Sequence, residues 1–149
     1  DKVPLGSLSE QGVRNESITR LSFDDNSYDF ILSFDVFEHV PEFSKALREC
    51  LRCLKKGGTL LFTVPFINTR EENLVRATVD TNGETIHLLE PEYHGDPVND
   101  AGCLCYYHFG WNLLEEMRAA GFADVKAHLY WSEHYGYLGG EQLLFTATK

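Results

Sequence analysis

Tyr28-Asp29-Phe30-Ile31-Leu32-Ser33-Phe34 is the stretch from which the fold of this chain is read. Its centre, Phe30-Ile31-Leu32, is apolar without alternation, the pattern of a strand covered on both faces in a parallel sheet. Downstream, Phe43, Ala46, Leu47, Cys50, Leu51 and Leu54 recur at steps of three and one. That spacing puts them on one stripe of an amphipathic helix, with Arg48, Glu49, Arg52 and Lys55 on its other faces. Pro41 suits the helix start, and Lys55-Lys56-Gly57-Gly58 its end. Thr59-Leu60-Leu61-Phe62-Thr63-Val64 then reads as a second buried-type strand, stopped by Pro65. Strand, helix and strand make a βαβ unit, whose crossover is right-handed in a parallel sheet.

On the N-terminal side, residues 1–13 read as loop, Arg14 to Thr19 as a short strand, and Asp24-Asp25-Asn26-Ser27 as a turn. On the C-terminal side the rhythm changes. Residues 66–108 hold an expected helix from Glu71 to Val79, a turn at Thr81-Asn82-Gly83 and an apolar piece, Thr85-Ile86-His87-Leu88-Leu89. The polar aromatic loop Glu90-Pro91-Glu92-Tyr93-His94-Gly95-Asp96-Pro97 follows, and an insertion of this length is more often functional than filler. Trp111 to Ala120 is a second amphipathic helix capped by Gly121. Asp124 to Trp131 and Gln142 to Thr148 are strands whose short Tyr135–Gly140 link favours an antiparallel pair.

The bulk numbers fit one α/β domain: 149 residues, 43% hydrophobic. A formal net charge of -10 argues against nucleic acid or an anionic membrane as the partner. No apolar run approaches the roughly 18 residues of a membrane span. Asp1-Lys2-Val3-Pro4-Leu5 is not read as a secretory signal, and without an initiator Met a cut or processed chain is expected. Cys50, Cys53, Cys103 and Cys105 are read as reduced thiols of a cytoplasmic protein. No metal site is expected; zinc on those four thiolates is the minor alternative.

In an open α/β sheet, ligands bind beyond the carboxyl ends of the parallel strands. This places a pocket over Asp35, Glu38, His39 and Phe66. Glu38 and His39 have a plainer reading as the opening residues of a helix.

The stretch Leu21-Ser22-Phe23-Asp24-Asp25-Asn26-Ser27-Tyr28-Asp29-Phe30 through Glu38-His39-Val40-Pro41 resembles a signature of type 11/12 methyltransferase domains. Ala46-Leu47-Arg48-Glu49 through Leu54-Lys55-Lys56-Gly57-Gly58-Thr59-Leu60 resembles its continuation, so that the likeness covers residues 16–66. The resemblance implies a class I S-adenosylmethionine-dependent methyltransferase. Its fold would be a Rossmann-like, mostly parallel sheet with an antiparallel C-terminal hairpin. It implies S-adenosylmethionine as cofactor, with Ser33, Phe34 and Asp35 at the end of the strand lining its pocket. Ser17 stands where the family carries an Asp near the adenine, Ile18 covers the adenine face, and Glu38 completes the cofactor set. The glycine loop of the family is absent from Asp1 to Gly12, so the first strands are expected upstream of this chain.

The acceptor is expected to be a small molecule or sugar, with the 93–108 segment governing the choice. Proton removal from it falls to His94, His39 or His108. Tyr93, Tyr106, Tyr107 and Trp111 serve either as a substrate wall or as core packing. An unpaired apolar edge beside Phe30-Ile31-Leu32 is expected to drive homodimerisation. The competing reading is a methyltransferase-like interaction module that binds no cofactor.

Overall fold

A computed structural model describes residues 4–96 and 99–149; the loop readings at residues 1–3 and 97–98 lie outside them. The stretch that opened the reading is strand β1 (Tyr28–Phe34), followed by a 3-10 turn (Phe37–His39), helix α1 (Phe43–Cys53) and strand β2 (Leu54–Thr63). β1 and β2 pair in parallel, from Phe30 opposite Thr59 to Phe34 opposite Thr63, so the βαβ unit is present as expected. Helix α2 (Leu113–Ala120), β9 (Asp124–Ser132) and β10 (Tyr137–Thr148) complete the main body. The sheet order is β1-β2-β10-β9, and both pairings of β10 are antiparallel. The Rossmann-like α/β architecture and its antiparallel C-terminal hairpin are therefore in place, with β1–β2 as the parallel pair of this four-stranded sheet.

The helical stripe reads as the spacing demands. Phe43, Ala46, Leu47, Cys50 and Cys53 are buried, and Leu54, also buried, has already turned into β2. They pack with Leu60, Phe62, Phe145 and Ala147 on one face of the sheet, and Leu113 and Met117 of α2 join the same cluster. Gly121 ends α2 at φ 113°, a left-handed conformation that residues with side chains rarely adopt.

The opposite face of the sheet is bare, and this corrects the expectation of a strand covered on both sides. Phe30, Leu32 and Phe34 are 70%, 62% and 56% exposed. An apolar run reports the hydrophobicity of both faces but not whether a second layer of structure covers them.

Two further corrections fall outside the βαβ unit. Arg14 to Thr19 forms no strand; Leu8–Arg14 and Ser17–Arg20 make only isolated bridges. The expected helix over Glu71–Val79 is instead β3 (Leu74–Val75) and β4 (Ala77–Val79). β3 pairs with β8 (Tyr107–His108), β4 with β5 (Thr85–His87), and β6 (Tyr93–Asp96) with β7 (Asn99–Leu104). Tyr106 O accepts from Arg76 N at 2.7 Å, so a distant partner holds this β-branched stretch extended. The expected turn at Asn82-Gly83 closes the β4–β5 hairpin, with Asp80 Oδ1 accepting from the backbone of Asn82 and Glu84.

Arg52 fastens the 21–25 segment to α1. Its guanidinium donates to both oxygens of Glu49, to Asp25 Oδ1 and to the carbonyls of Leu21 and Phe23, at 2.7–3.0 Å. The Arg52 hydrogen bonds hold the Glu49 carboxyl below its ordinary value. Arg52→Ala is expected to cost about 1.5–3 kcal/mol at neutral pH, and Arg52→Lys is expected not to restore it. A depressed carboxyl stabilises above its unfolded pKa of about 4.3, and that contribution is lost as pH falls through the lower folded value. Urea midpoints of wild type and variant should therefore converge in acid. Among the described residues, no helix is long and apolar enough to cross a membrane.

Candidate functional site

The carboxyl ends of β1 and β2 open into a cleft of about 580 Å³ lined by Asp35, Glu38, His39, Val64, Pro65, His94 and Gly95. Asp35 leaves β1 in the left-handed region, at φ 52°, unusual for a residue with a side chain. Its carboxylate accepts from Thr63 Oγ1 at 3.0 Å, which ties the end of β1 to the end of β2. The chain then makes the 3-10 turn. Phe37 drops into the core against Phe62, with ring centroids 5.0 Å apart, and thereby turns Glu38 and His39 toward the cleft.

The small β-units supply the other wall. Tyr106 N–H donates to Glu38 O at 2.7 Å and Cys105 N–H to Glu92 O at 2.8 Å, so the 104–106 segment lies along the turn. His94 on β6 pairs across to Cys103 on β7. Gly102 (φ 77°) permits the approach, since a Cβ there would lie 2.6 Å from His94 O. His39 and His94 meet edge to face at 5.0 Å.

At the centre sits Glu38, with 0% of its side chain exposed. Oε1 is 3.6 Å from His39 Nε2 and 3.7 Å from His94 Nδ1, beyond hydrogen-bond length. Both carboxylate oxygens lack a hydrogen-bond partner. Burial pushes the Glu38 carboxyl up; Asp35 adds to this and the two histidines oppose it. The outward nitrogens of the rings are occupied: His39 Nδ1 meets Leu104 O at 2.8 Å and His94 Nε2 meets Glu92 Oε1 at 3.1 Å. Glu92 also binds His108 Nε2 at 2.9 Å and pairs with Arg76 at 3.2 Å. These partners, His108 foremost, hold the Glu92 carboxyl below its ordinary value.

Of the residues expected from sequence, Asp35, Glu38, His39 and His94 share this cleft. Ile18, Ser33 and Phe34 lie together in a neighbouring apolar groove of about 460 Å³ that runs along β1. Ser33 Oγ is buried there without a partner, a polar atom that a ligand group would satisfy. Ser17 lines a third cleft with His39, Val40 and Pro41. His108 stands behind Glu92 instead of in the cleft. Phe66 borders the adjoining cleft with Asp35.

Tyr107 is core packing: its ring lies 4.9 Å from Phe43 and its hydroxyl donates to Pro41 O. The expectation missed Glu92 and Arg76. The Glu-x-His spacing of Glu92 and His94 was the available signal, since alternate residues of an extended segment share a face. The four cysteines form no common ligand group among the described residues; Cys105 instead falls near Glu92, His94 and His108. Among the described residues, no strand precedes β1.

Residues 4–62 match a family model described as a methyltransferase domain. The sarcosine/dimethylglycine N-methyltransferase of Halorhodospira halochloris is 31% identical over 84 residues, which are 54% of this chain and 29% of that protein. The chain thus spans less than a third of that relative. Among solved structures, an S-adenosylmethionine-dependent methyltransferase from Mesorhizobium loti superposes with a TM-score of 0.53 at 15% identity, covering 95% of this chain and 72% of the other. A Thermotoga maritima protein described as a possible histamine N-methyltransferase gives 0.52 at 20% identity, covering 94% of this chain and 66% of the other. At such identities these superpositions establish the fold.

Proposed function

We propose that this chain, which has the fold of class I S-adenosylmethionine-dependent methyltransferases and matches the methyltransferase-domain family over residues 4–62, takes part in methyl transfer to a small-molecule or sugar-type acceptor. The observation that carries this reading is the juxtaposition, at the carboxyl end of β1, of the apolar groove with the Asp35, Glu38, His39 and His94 cleft. S-adenosylmethionine supplies an electrophilic methyl group on a sulfonium. Ile18, Ser33 and Phe34 would hold its adenosyl part in the groove, with Ser17 at the margin and Asp35 at the strand end. Glu38, His39 and His94 face the acceptor, orient it and draw off its proton. His108 is a positioning residue that fixes Glu92 and, through it, the His94 ring. The buried thiols of Cys50, Cys53 and Cys105 support a cytoplasmic setting.

Calorimetric titration of the purified protein with S-adenosylhomocysteine tests the reading. Saturable one-site binding, weakened by Phe34→Asp, is expected. A folded protein that gives no heat would favour the interaction module instead. That alternative has an observation behind it, the exposed apolar face of β1, which is also a sheet edge. We propose that a second copy covers this edge. Sedimentation equilibrium should show a dimer that Leu32→Lys dissociates, and a wild-type monomer would end the proposal.

A further inference from the structure

We propose that Glu38, His39 and His94 form a binding site for a divalent first-row transition metal ion. The site has the two-imidazole, one-carboxylate donor set that suits zinc or iron(II) and leaves a coordination position open to the cleft.

The first ground is the pattern of protons. His39 Nδ1 faces the Leu104 carbonyl and His94 Nε2 faces the Glu92 carboxylate; each of those oxygens is an acceptor, so each nitrogen carries the hydrogen. In the neutral rings that arrangement leaves His39 Nε2 and His94 Nδ1 as lone pairs. Both point to Glu38 Oε1, itself an acceptor. With Glu38 ionised, three lone-pair atoms thus face one another with no donor among them. A hydrogen bond cannot resolve the arrangement at 3.6 and 3.7 Å, whereas a cation between them can.

The second ground is Glu38 itself. Its carboxylate is wholly buried and both oxygens are orphaned, a costly state unless a charged partner completes it.

The third is the geometry around the donors. The three ligand atoms lie within 4.8 Å of one another. Tetrahedral zinc, with bonds of about 2.0–2.2 Å, needs donors about 3.3–3.5 Å apart; the two Glu38–His distances, 3.6 and 3.7 Å, need close by only tenths of an ångström, and the two ring nitrogens are within 4.8 Å. Both ligating rings already carry the outer partners typical of metal-bound histidine, a backbone carbonyl for one and a carboxylate for the other. Glu92 is fixed for that task by His108 and Arg76.

A second donor group, Glu92, His94, Cys105 and His108, shares the His94 ring. The inner set is preferred for two reasons. Glu92 Oε1 already accepts from both histidines of the outer set. Cys105 Sγ is already engaged, donating to Tyr107 O at 3.2 Å.

The ion would occupy the same three side chains that the methyl-transfer reading assigns to the acceptor, and it is measured without turnover, so the two readings are tested apart. The protein, stripped with a chelator and shown folded by circular dichroism, is titrated with cobalt(II) and then zinc. Visible d–d bands saturating at one equivalent and bleached by zinc are expected, with an X-ray absorption shell of nitrogen and oxygen only. Glu38→Gln and His94→Ala should each abolish the bands. His108→Ala should weaken binding about 10–100-fold through Glu92. Cys50→Ser and Cys105→Ser should leave it unchanged. Folded wild-type protein that retains no zinc and shows no cobalt band would overturn the proposal, whatever the variants do. So would binding that survives Glu38→Gln and is lost in Cys105→Ser, which would move the ion to the outer group. Titration of the same stripped sample with S-adenosylhomocysteine keeps a failure of this proposal distinct from a failure of the methyltransferase reading.

Discussion

Glu38→Gln is expected to lower kcat/KM for the proposed methyl transfer by about 10²–10⁴-fold while leaving S-adenosylhomocysteine affinity little changed. The substitution keeps the shape of the side chain and removes its charge. Glu38 is the wholly buried carboxyl 3.6 Å from His39 Nε2 and 3.7 Å from His94 Nδ1, so its loss removes the charged group that both inward ring nitrogens face. The apolar groove proposed for the adenosyl part is lined by Ile18, Ser33 and Phe34 and does not include Glu38, which is why cofactor affinity should survive. Stability separates this outcome from simple unfolding. An orphaned buried carboxylate is expensive, so the amide should melt at the same temperature or higher. Loss of turnover with a preserved melting temperature supports the assignment. Normal turnover of any methyl acceptor by the variant would remove Glu38 from the machinery.

The largest expected loss of stability is Phe62→Ala, about 3–5 kcal/mol, read as a fall in the urea midpoint at unchanged m-value. Phe62 is 0% exposed and joins three parts of the molecule. It belongs to β2, meets Phe37 edge to face at 5.0 Å, and stacks on Phe145 of β10 at 5.4 Å. Truncation leaves a cavity under the 3-10 turn, and that turn carries Glu38 and His39. Reduced occupancy of the cleft geometry should therefore accompany the lost stability. Phe62→Leu, which keeps much of the volume, should cost less than about half as much. A Phe62→Ala variant within about 1 kcal/mol of wild type would show that the core relaxes into the space, contrary to the packing seen here.

Sequence reasoning served well wherever the information is local. The apolar run of Tyr28–Phe34 and the stripe from Phe43 to Leu54 each need only their own neighbours to state strand or helix, and both elements form where expected. The Gly121 cap and the Asn82-Gly83 turn are equally local, because backbone conformation at those positions depends on the residue itself. The stretch Glu71–Val79 shows where this ends. Its composition allows a helix, but Tyr106 and Tyr107 supply pairing partners some thirty residues away that hold it extended.

The sequence by itself determined the βαβ unit, the antiparallel hairpin and the candidate residues Asp35, Glu38, His39 and His94, since periodicity and motif are written in adjacent positions. The tertiary structure decided that those four share one cleft, that Glu92 and His108 stand behind His94, and that one face of the sheet is left bare. The physical reason is that burial and pairing are properties of distance in space. Glu38 becomes a buried carboxylate without a hydrogen-bond partner only when a segment more than fifty residues downstream folds back over it.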